Sequence, residues 1–504
     1  MDILDILRQY KTAESLGGLV LLAILGSLAR NRLSRSKLPL PPGPPGHWLF
    51  GNTQSQVFAE WINQYGPVIS LKQGKKIMVI IGRHQAAVDI MEKEGGLLAD
   101  RPRAVAAGEI LSRGLRMILA PAGEQFRRLR KAAHTHLQAK AAESYAPIQM
   151  DSAKDVILDI LDNPKQHMQH TRRYAASVIL KVTYGKTAPT SHTDKEIILI
   201  HTMLRRFQTL MRPGALYVEA YPFLKYVPGY ASYLETWRRE ESQLFHEQLD
   251  RVRGELAADQ AGPSFARYLL EHQDEHKLSN EEMAYLAGSL FGAGSDTTAV
   301  ALTVLIMAAA RHPEAQARVQ KELDEVVGRD RAPTFDDQYA LPEIQAFMLE
   351  CLRWRPVTTL GFAHRALKDI VYVQRPSYPT GAVVFGNHWA ISRDPSVYPD
   401  PDKFNPQRWL NSKGQVKDDL KFPSFGFGRR ICPGQHIANR SIFINAALLL
   451  WSFHISEDPS SPIDDKGFVD GVIAHPKPFD VVFTPRLGDA KQIRAAMEKY
   501  AEDI

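Results

Sequence analysis

Apolar residues gather most densely in two places, Leu16 to Ala29 and Ser279 to Ala310, with shorter periodic pieces elsewhere. Val68–Leu71 and Ile77–Ile81 look like short strands separated by the turn residues Lys72–Lys76, and residues 83–94 read as a helix. A small β-rich lobe is expected there. Residues 100–120 have no clear period. Glu124 to Leu137 reads as a helix, and residues 150–275 are helical in texture, broken at Gly185–Ser191 and Pro228–Tyr230. Met203, Phe207, Met211, Tyr217, Tyr221 and Phe223 fit a core, a membrane-facing surface or a substrate roof equally well. Ala382 to Trp389 looks like a strand, His436 to Trp451 like a helix, and Gly471 to Val482 like a β-hairpin. The chain should be mainly α.

The stretch opening at Ser279 raises a choice. Ser279 and Glu282 have capping-box spacing, and the 28 residues between Glu282 and Arg311 carry one charge, Asp296. Length and composition allow a membrane span. Gly292, Gly294, Ser295, Asp296, Thr297 and Thr298 at its centre and the lack of a strongly basic flank favour a long core helix. Its glycines would let another body approach, with a carboxylate and a hydroxyl beside them.

The first apolar run reads differently. Fourteen residues span only ~21 Å as a helix against ~30 Å of hydrocarbon. Thr12–Ala13 extend it, and Arg30, Arg32, Arg35 and Lys37 beyond it can snorkel. A signal-peptide core or a buried helix are the rivals. The absence of a convincing cleavage site and the basic downstream flank favour an anchor whose following chain is cytoplasmic. The prolines in Leu38 to Gly46 then make a stiff spacer. The expected organisation is 1–15 luminal, 16–29 transmembrane, 30–46 a basic and proline-rich hinge, and 47–504 the working domain.

Composition narrows this little. With 62 basic and 56 acidic residues, the formal charge of +6 is spread through the chain and argues for no nucleic-acid partner. Cys351 and Cys432 are the only cysteines, which favours a reducing compartment and excludes four-cysteine zinc or iron–sulfur sites.

The chemistry centres on Phe425 to Gly434, FGFGRRICPG, a glycine-rich loop leading into a helix. A helix N-terminus and adjacent arginines should lower the pKa of Cys432, making it a nucleophile or a metal ligand. Phe425, Gly428, Arg430, Cys432 and Gly434 also meet the F-x-x-G-x-R-x-C-x-G spacing, and here the chain resembles the cytochromes P450, the haem-thiolate monooxygenases. The resemblance runs from about Pro39 to Arg486 and looks most like fungal microsomal members, which tend to act in secondary metabolism or xenobiotic oxidation.

That resemblance implies the cytochrome P450 fold: a single large domain built on a long central helix, with a small β-rich lobe and an N-terminal anchor. It implies haem b (iron protoporphyrin IX) with Cys432 as axial thiolate, Phe425 in the same loop, and Arg430 on a propionate. Arg127 and Arg130 follow the W-R-x-x-R helix pattern, with Phe126 in place of Trp, and His364 stands at a propionate-touching position. Ala293, Gly294, Asp296 and Thr297 match [A/G]-G-x-[D/E]-T, so Asp296 and Thr297 would relay protons on the distal face. Glu350, Arg353 and Arg408 match a buried structural network.

Electrons would come from NADPH–cytochrome P450 reductase at the endoplasmic reticulum, with cytochrome b5 as a further donor. The basic helix from Arg127 to Lys131 is part of the expected docking face, with Arg128 the residue to test. The substrate would be a lipophilic small molecule. The rivals are a P450-like isomerase or dehydratase, a peroxygenase, and a non-catalytic membrane haem sensor.

Overall fold

Helix formers fill most of the chain, and strands are short and confined to a few places. The computed structural model describes residue 42 and residues 54–502, apart from 74–75, 187–189, 192, 213, 373–376 and 470. The anchor expected over 16–29, its flank and all of the hinge but Pro42 lie outside the described residues.

α1 (Gln54–Tyr65) sets Phe58 and Ile62 against Ile69 and Ile80 of the first two strands. These are β1 (Val68–Gln73) and β2 (Lys76–Ile81), antiparallel with Val68 opposite Ile81. β3 (His364–Arg365) lies antiparallel to β4 (Val383–Gly386), which runs parallel to β2. The sheet order β1–β2–β4–β3 puts His364 on an edge strand.

The α-helical body contains α2 (Glu124–Leu137), α3 (Ala146–Asp162), α4 (His167–Tyr184), α5 (Lys195–Leu210) and α6 (Tyr233–Ala257). α7 (Asn280–Arg311) runs through the core, α8 (Pro342–Trp354) flanks it, and α9 (Gln435–Ser452) follows the cysteine loop. The capping box forms: Ser279 Oγ accepts the Glu282 N–H, and the Glu282 carboxylate accepts the Ser279 N–H. Among the described residues α7 is the one helix long and apolar enough to cross a bilayer, and most of it is sealed inside the protein. It is a core helix.

Its glycines serve packing between protein elements. A Cβ on Gly294 would lie 2.7 Å from Ile179 of α4, and one on Gly288 would lie 2.2 Å from the Phe245 ring of α6. Overpacking of a full core costs about 1–3 kcal/mol. Gly288→Ala should therefore lower the melting temperature measurably; an unchanged transition would mean that α6 yields freely.

Two segments depart from expectation. Residues 471–482 form no hairpin: β7 (His475–Pro476) pairs with β6 (Phe468–Val469), and β8 (Val481–Pro485) pairs with β5 (Phe453–Glu457). Pro476 and Pro478 lack amide hydrogens and cannot build a continuous ladder together. The aromatic region also divides. Met203 and Phe207 are buried, whereas Tyr217, Tyr221, Phe223 and Tyr226 are exposed, the last at 77%. Within that exposed segment, Glu219 accepts the Val105 and Ala106 N–H groups at 3.1 and 2.8 Å, capping a π-helical turn over Val105–Leu111.

Candidate functional site

The loop before α9 bends where Gly428 adopts φ 50°, and a Cβ there would lie 2.7 Å from the Met91 carbonyl. Only glycine fits both demands. The bend brings the Cys432 N–H to the Phe425 carbonyl at 2.9 Å, closing the loop on itself. Phe425 is half-buried beside it. The Cys432 thiol stands higher than an ordinary thiol: burial outweighs the Gly434 N–H and Arg130, which pull it down. The expected lowering is thus reversed in the protein alone, because desolvation dominates. Cys432 nevertheless keeps some accessible surface, so it borders a space within the fold.

Cations converge near this thiol. The Arg430 guanidinium donates to the Ala99 and Ala120 carbonyls, both at 2.7 Å, and lies 3.4 Å over the Phe126 ring. Phe126 thus supplies an aromatic face where the resembling pattern has an indole. Arg101 donates to the Ala363 and Phe362 carbonyls at 2.6 and 3.0 Å. His364 meets the Leu98 carbonyl through Nδ1 at 2.7 Å; a carbonyl can only accept, so Nδ1 carries the proton. Burial drives Arg101 down to about 9, with Arg430 adding repulsion and Asp100 opposing. Arg430 falls to about 10, mainly from burial, against Asp100 and with Arg130. His364 falls to about 3, through burial first and then Arg101. Arg130 is also lowered by burial, with Cys432 opposing. Asp100, the neighbouring carboxylate, is already held by the Arg365 guanidinium and the Ala122 N–H. The cluster is cation-rich and desolvated, and it fits an anionic group.

Arg127 does not join it. That side chain is exposed, while Arg130, one turn further on, is half-buried. Arg128 is engaged elsewhere, donating to both Glu282 oxygens at 3.0 and 3.2 Å and to the Lys277 carbonyl. It braces the start of α7 and is not a free docking charge. Arg101 is the residue that sequence reasoning missed; its one signal was an Asp–Arg pair closing the apolar run Leu97–Ala99.

On α7, residues 282–310 are buried except Ser289, Leu290, Ala293, Gly294 and Thr297. Ala293 and Thr297 lie one turn apart on one helical face, and Ala293 is exposed in mid-helix, so that face borders an internal space, whereas Gly294 beside them is closed off by Ile179. Thr297 Oγ1 donates back to the Ala293 carbonyl at 2.9 Å. Asp296 turns away from that face. Its carboxylate accepts from Gln208 Nε2 at 3.1 Å and meets His475 Nε2 at 2.8 Å. The two residues expected to act side by side are therefore split between two environments.

Glu350 and Arg353, both wholly buried on α8, pair through two hydrogen bonds at 2.8 and 2.7 Å. Arg408 reaches the same carboxylate at 3.2 Å, and the Trp409 indole and Asn405 N–H join it at 2.9 and 2.8 Å. Arg353 also donates to the Ser392 and Pro401 carbonyls, tying α8 to the segment before the cysteine loop.

Among the described residues no group of three His, Cys, Asp or Glu is placed to hold an ion. A metal at Cys432 would have to arrive with most of its ligands, as iron in a porphyrin does. A mainly helical fold with a partly accessible thiol beside desolvated cations fits a haem-thiolate protein. The cytochrome P450 family model matches residues 41–483, and the chain belongs to the cytochrome P450 family. It is 52% identical over 483 residues to cytochrome P450 monooxygenases 64 and 88 of Postia placenta, covering 95% of this chain and 97% of each relative. A cytochrome P450 monooxygenase of Armillaria gallica is 35% identical over 503 residues, 95% of this chain and 97% of that one. Two zebrafish cytochrome P450 structures, with abiraterone and with progesterone, superpose with a TM-score of 0.72 at 24% identity. They cover 86% of this chain and 100% and 99% of their own, and show the shared fold. The activity is the haem-thiolate monooxygenation typical of this fungal family.

Proposed function

We propose that the chain holds haem b through the Cys432 thiolate, with Arg430, Arg130, Arg101 and His364 receiving the propionates. The observation that carries this is the desolvated cation cluster beside the one accessible thiol. An anion placed there would relieve the burial penalty on all three arginines and would favour a proton on His364 Nε2, turning it into a donor. When bound, haem supplies the reductive activation of dioxygen. The chain's own residues bind and orient it, and the face of α7 bearing Ala293 and Thr297 borders the reacting space. Thr297 offers a hydroxyl there, and Asp296 a carboxylate one residue away. Glu350, Arg353 and Arg408 hold the scaffold and take no part in the chemistry. The substrate is a lipophilic small molecule, in keeping with the alanine on that face.

The reading is tested by the absorption spectrum of the purified, reduced protein under carbon monoxide. A thiolate-type Soret band supports it; protein that retains no haem when expressed with haem precursor overturns it.

NADPH–cytochrome P450 reductase is the proposed donor, with cytochrome b5 in reserve. Residues 16–29 would anchor the chain in the endoplasmic reticulum membrane by a single pass, with the domain cytoplasmic. Arg127, exposed on the helix that carries Arg130, is the docking charge in this reading. Arg127→Glu should raise the reductase concentration for half-maximal turnover several-fold at low salt, with the gap closing as salt is added. Identical reductase dependence in both proteins would remove Arg127 from the docking face.

A further inference from the structure

Asp296 is 7% exposed, and the contact at Oδ1 is unusual because it comes from an ionisable group on a distant strand. His475 lies 179 residues further along, on β7, and its Nε2 is 2.8 Å from Asp296 Oδ1. The His475 side chain remains 25% exposed, so it reaches both solvent and the buried carboxylate. Gln208 Nε2, from α5, occupies Oδ2. A primary amide can hold the carboxylate but exchanges no proton at ordinary pH. Other charged groups share the neighbourhood: His201 and Arg205 on α5 and Arg172 on α4. Burial lowers the pKa of His201, with Asp296 opposing and Arg172, Arg205 and His475 reinforcing. None of these three makes a hydrogen bond to Asp296 among the described residues.

We infer that His475 is the proton-relay partner of Asp296, acting through that carboxylate as a positioning residue. The Nε2–H bond of the imidazolium breaks and an O–H bond forms at Asp296 Oδ1; the neutral imidazole left behind keeps its proton on Nδ1, turns its bare Nε2 to the exposed side and takes a proton there from solvent, which restores the imidazolium. No electrons move. The proton then stands on a carboxylate one residue from Thr297, whose hydroxyl lies on the face that borders the reacting space. Gln208 fixes the carboxylate so that Oδ1 stays aimed at the imidazole. The arrangement gives a sealed helix a route for protons that does not require opening the fold.

This inference rests on the haem-thiolate reading, so both are read in one set of preparations. Holoenzyme, His475→Gln and His475→Phe are each checked for the thiolate-type Soret band. NADPH oxidation is then followed with reductase and ethoxycoumarin as a lipophilic probe, in water and in deuterium oxide. Glutamine keeps a donor for Asp296 but cannot shuttle a proton; phenylalanine keeps neither. A positioned acid–base group contributes about 10²–10⁴-fold, so both variants should oxidise NADPH about ten-fold more slowly or worse, with a larger solvent isotope effect. If His475→Gln restored normal rate and isotope effect while His475→Phe did not, the residue would be a structural tie and the inference would fall. A missing Soret band in the parent would instead defeat the haem-thiolate reading.

A readout without turnover guards against a variant that does not fold. In protein labelled with nitrogen isotope at histidine, the His475 ring resonances should report a proton on Nε2 and should move in Asp296→Asn. Resonances and titration unchanged by that substitution would overturn the contact itself.

Discussion

Cys432→Ser, purified beside the parent protein, is expected to lack the thiolate-type Soret band and to show no reductase-supported turnover. Serine is nearly isosteric and leaves the closing Cys432 N–H to Phe425 bond to the backbone, so the loop should keep its shape. What disappears is the sulfur. An alkoxide is far harder to form than a thiolate and gives little of the electron donation on which cleavage of a bound O–O bond depends. The second cysteine cannot substitute, because Cys351 is fully buried beside Glu350, and burial pushes its thiol well up. If serine and cysteine proteins gave the same spectrum, Cys432 would cease to be the ligand and the functional reading would go with it.

Glu350→Ala should be nearly as damaging, by a different route. One carboxylate accepts from Arg353 twice and from Arg408, Trp409 and Asn405 once each, with no solvent to replace it. Removing it leaves two guanidinium groups inside the protein without their counter-charge. Breaking a buried pair in this way costs about 3–5 kcal/mol, a third or more of the stability of many domains, which runs about 5–15 kcal/mol. The expected result is a large fall in melting temperature and little haem-loaded protein. Glu350→Gln keeps the shape and part of the hydrogen bonding, and should lie between the two. A parent-like melting curve and haem content in the alanine variant would show that the backbone carbonyls around Arg353 suffice alone.

Features set by contacts within a few residues are legible in the chain. The helix over Glu124–Leu137 and the capping box at Ser279 depend on spacing within a few residues, and both form as expected. The strands near Val68 and Ile77 likewise follow from short runs of β-branched and apolar residues around a turn. Which charge faces inward was not legible. Arg127, Arg128 and Arg130 are equivalent by composition, yet one is exposed, one is tied to Glu282 and one is half-buried, because their surroundings come from distant segments. The same holds for Arg101, whose partners Phe362 and Ala363 lie over 260 residues away. Asp296 and Thr297 look like a unit in one dimension. A helical step of about 100° and the arrival of His475 and Gln208 separate them in three. The hairpin expected over 471–482 failed for a related reason: proline chemistry was visible, but its strand partners were not.

The two sides of the central helix respond to change in opposite ways, which matters for anyone reshaping this enzyme. Positions 288 and 294 are filled to contact by Phe245 and Ile179, so enlarging them trades away stability for no new room. Positions 293 and 297 keep accessible surface, and side chains there can grow or shrink while the core stays closed. Directed evolution on the first pair would yield mostly dead clones; on the second group it would yield folded variants with altered cavities.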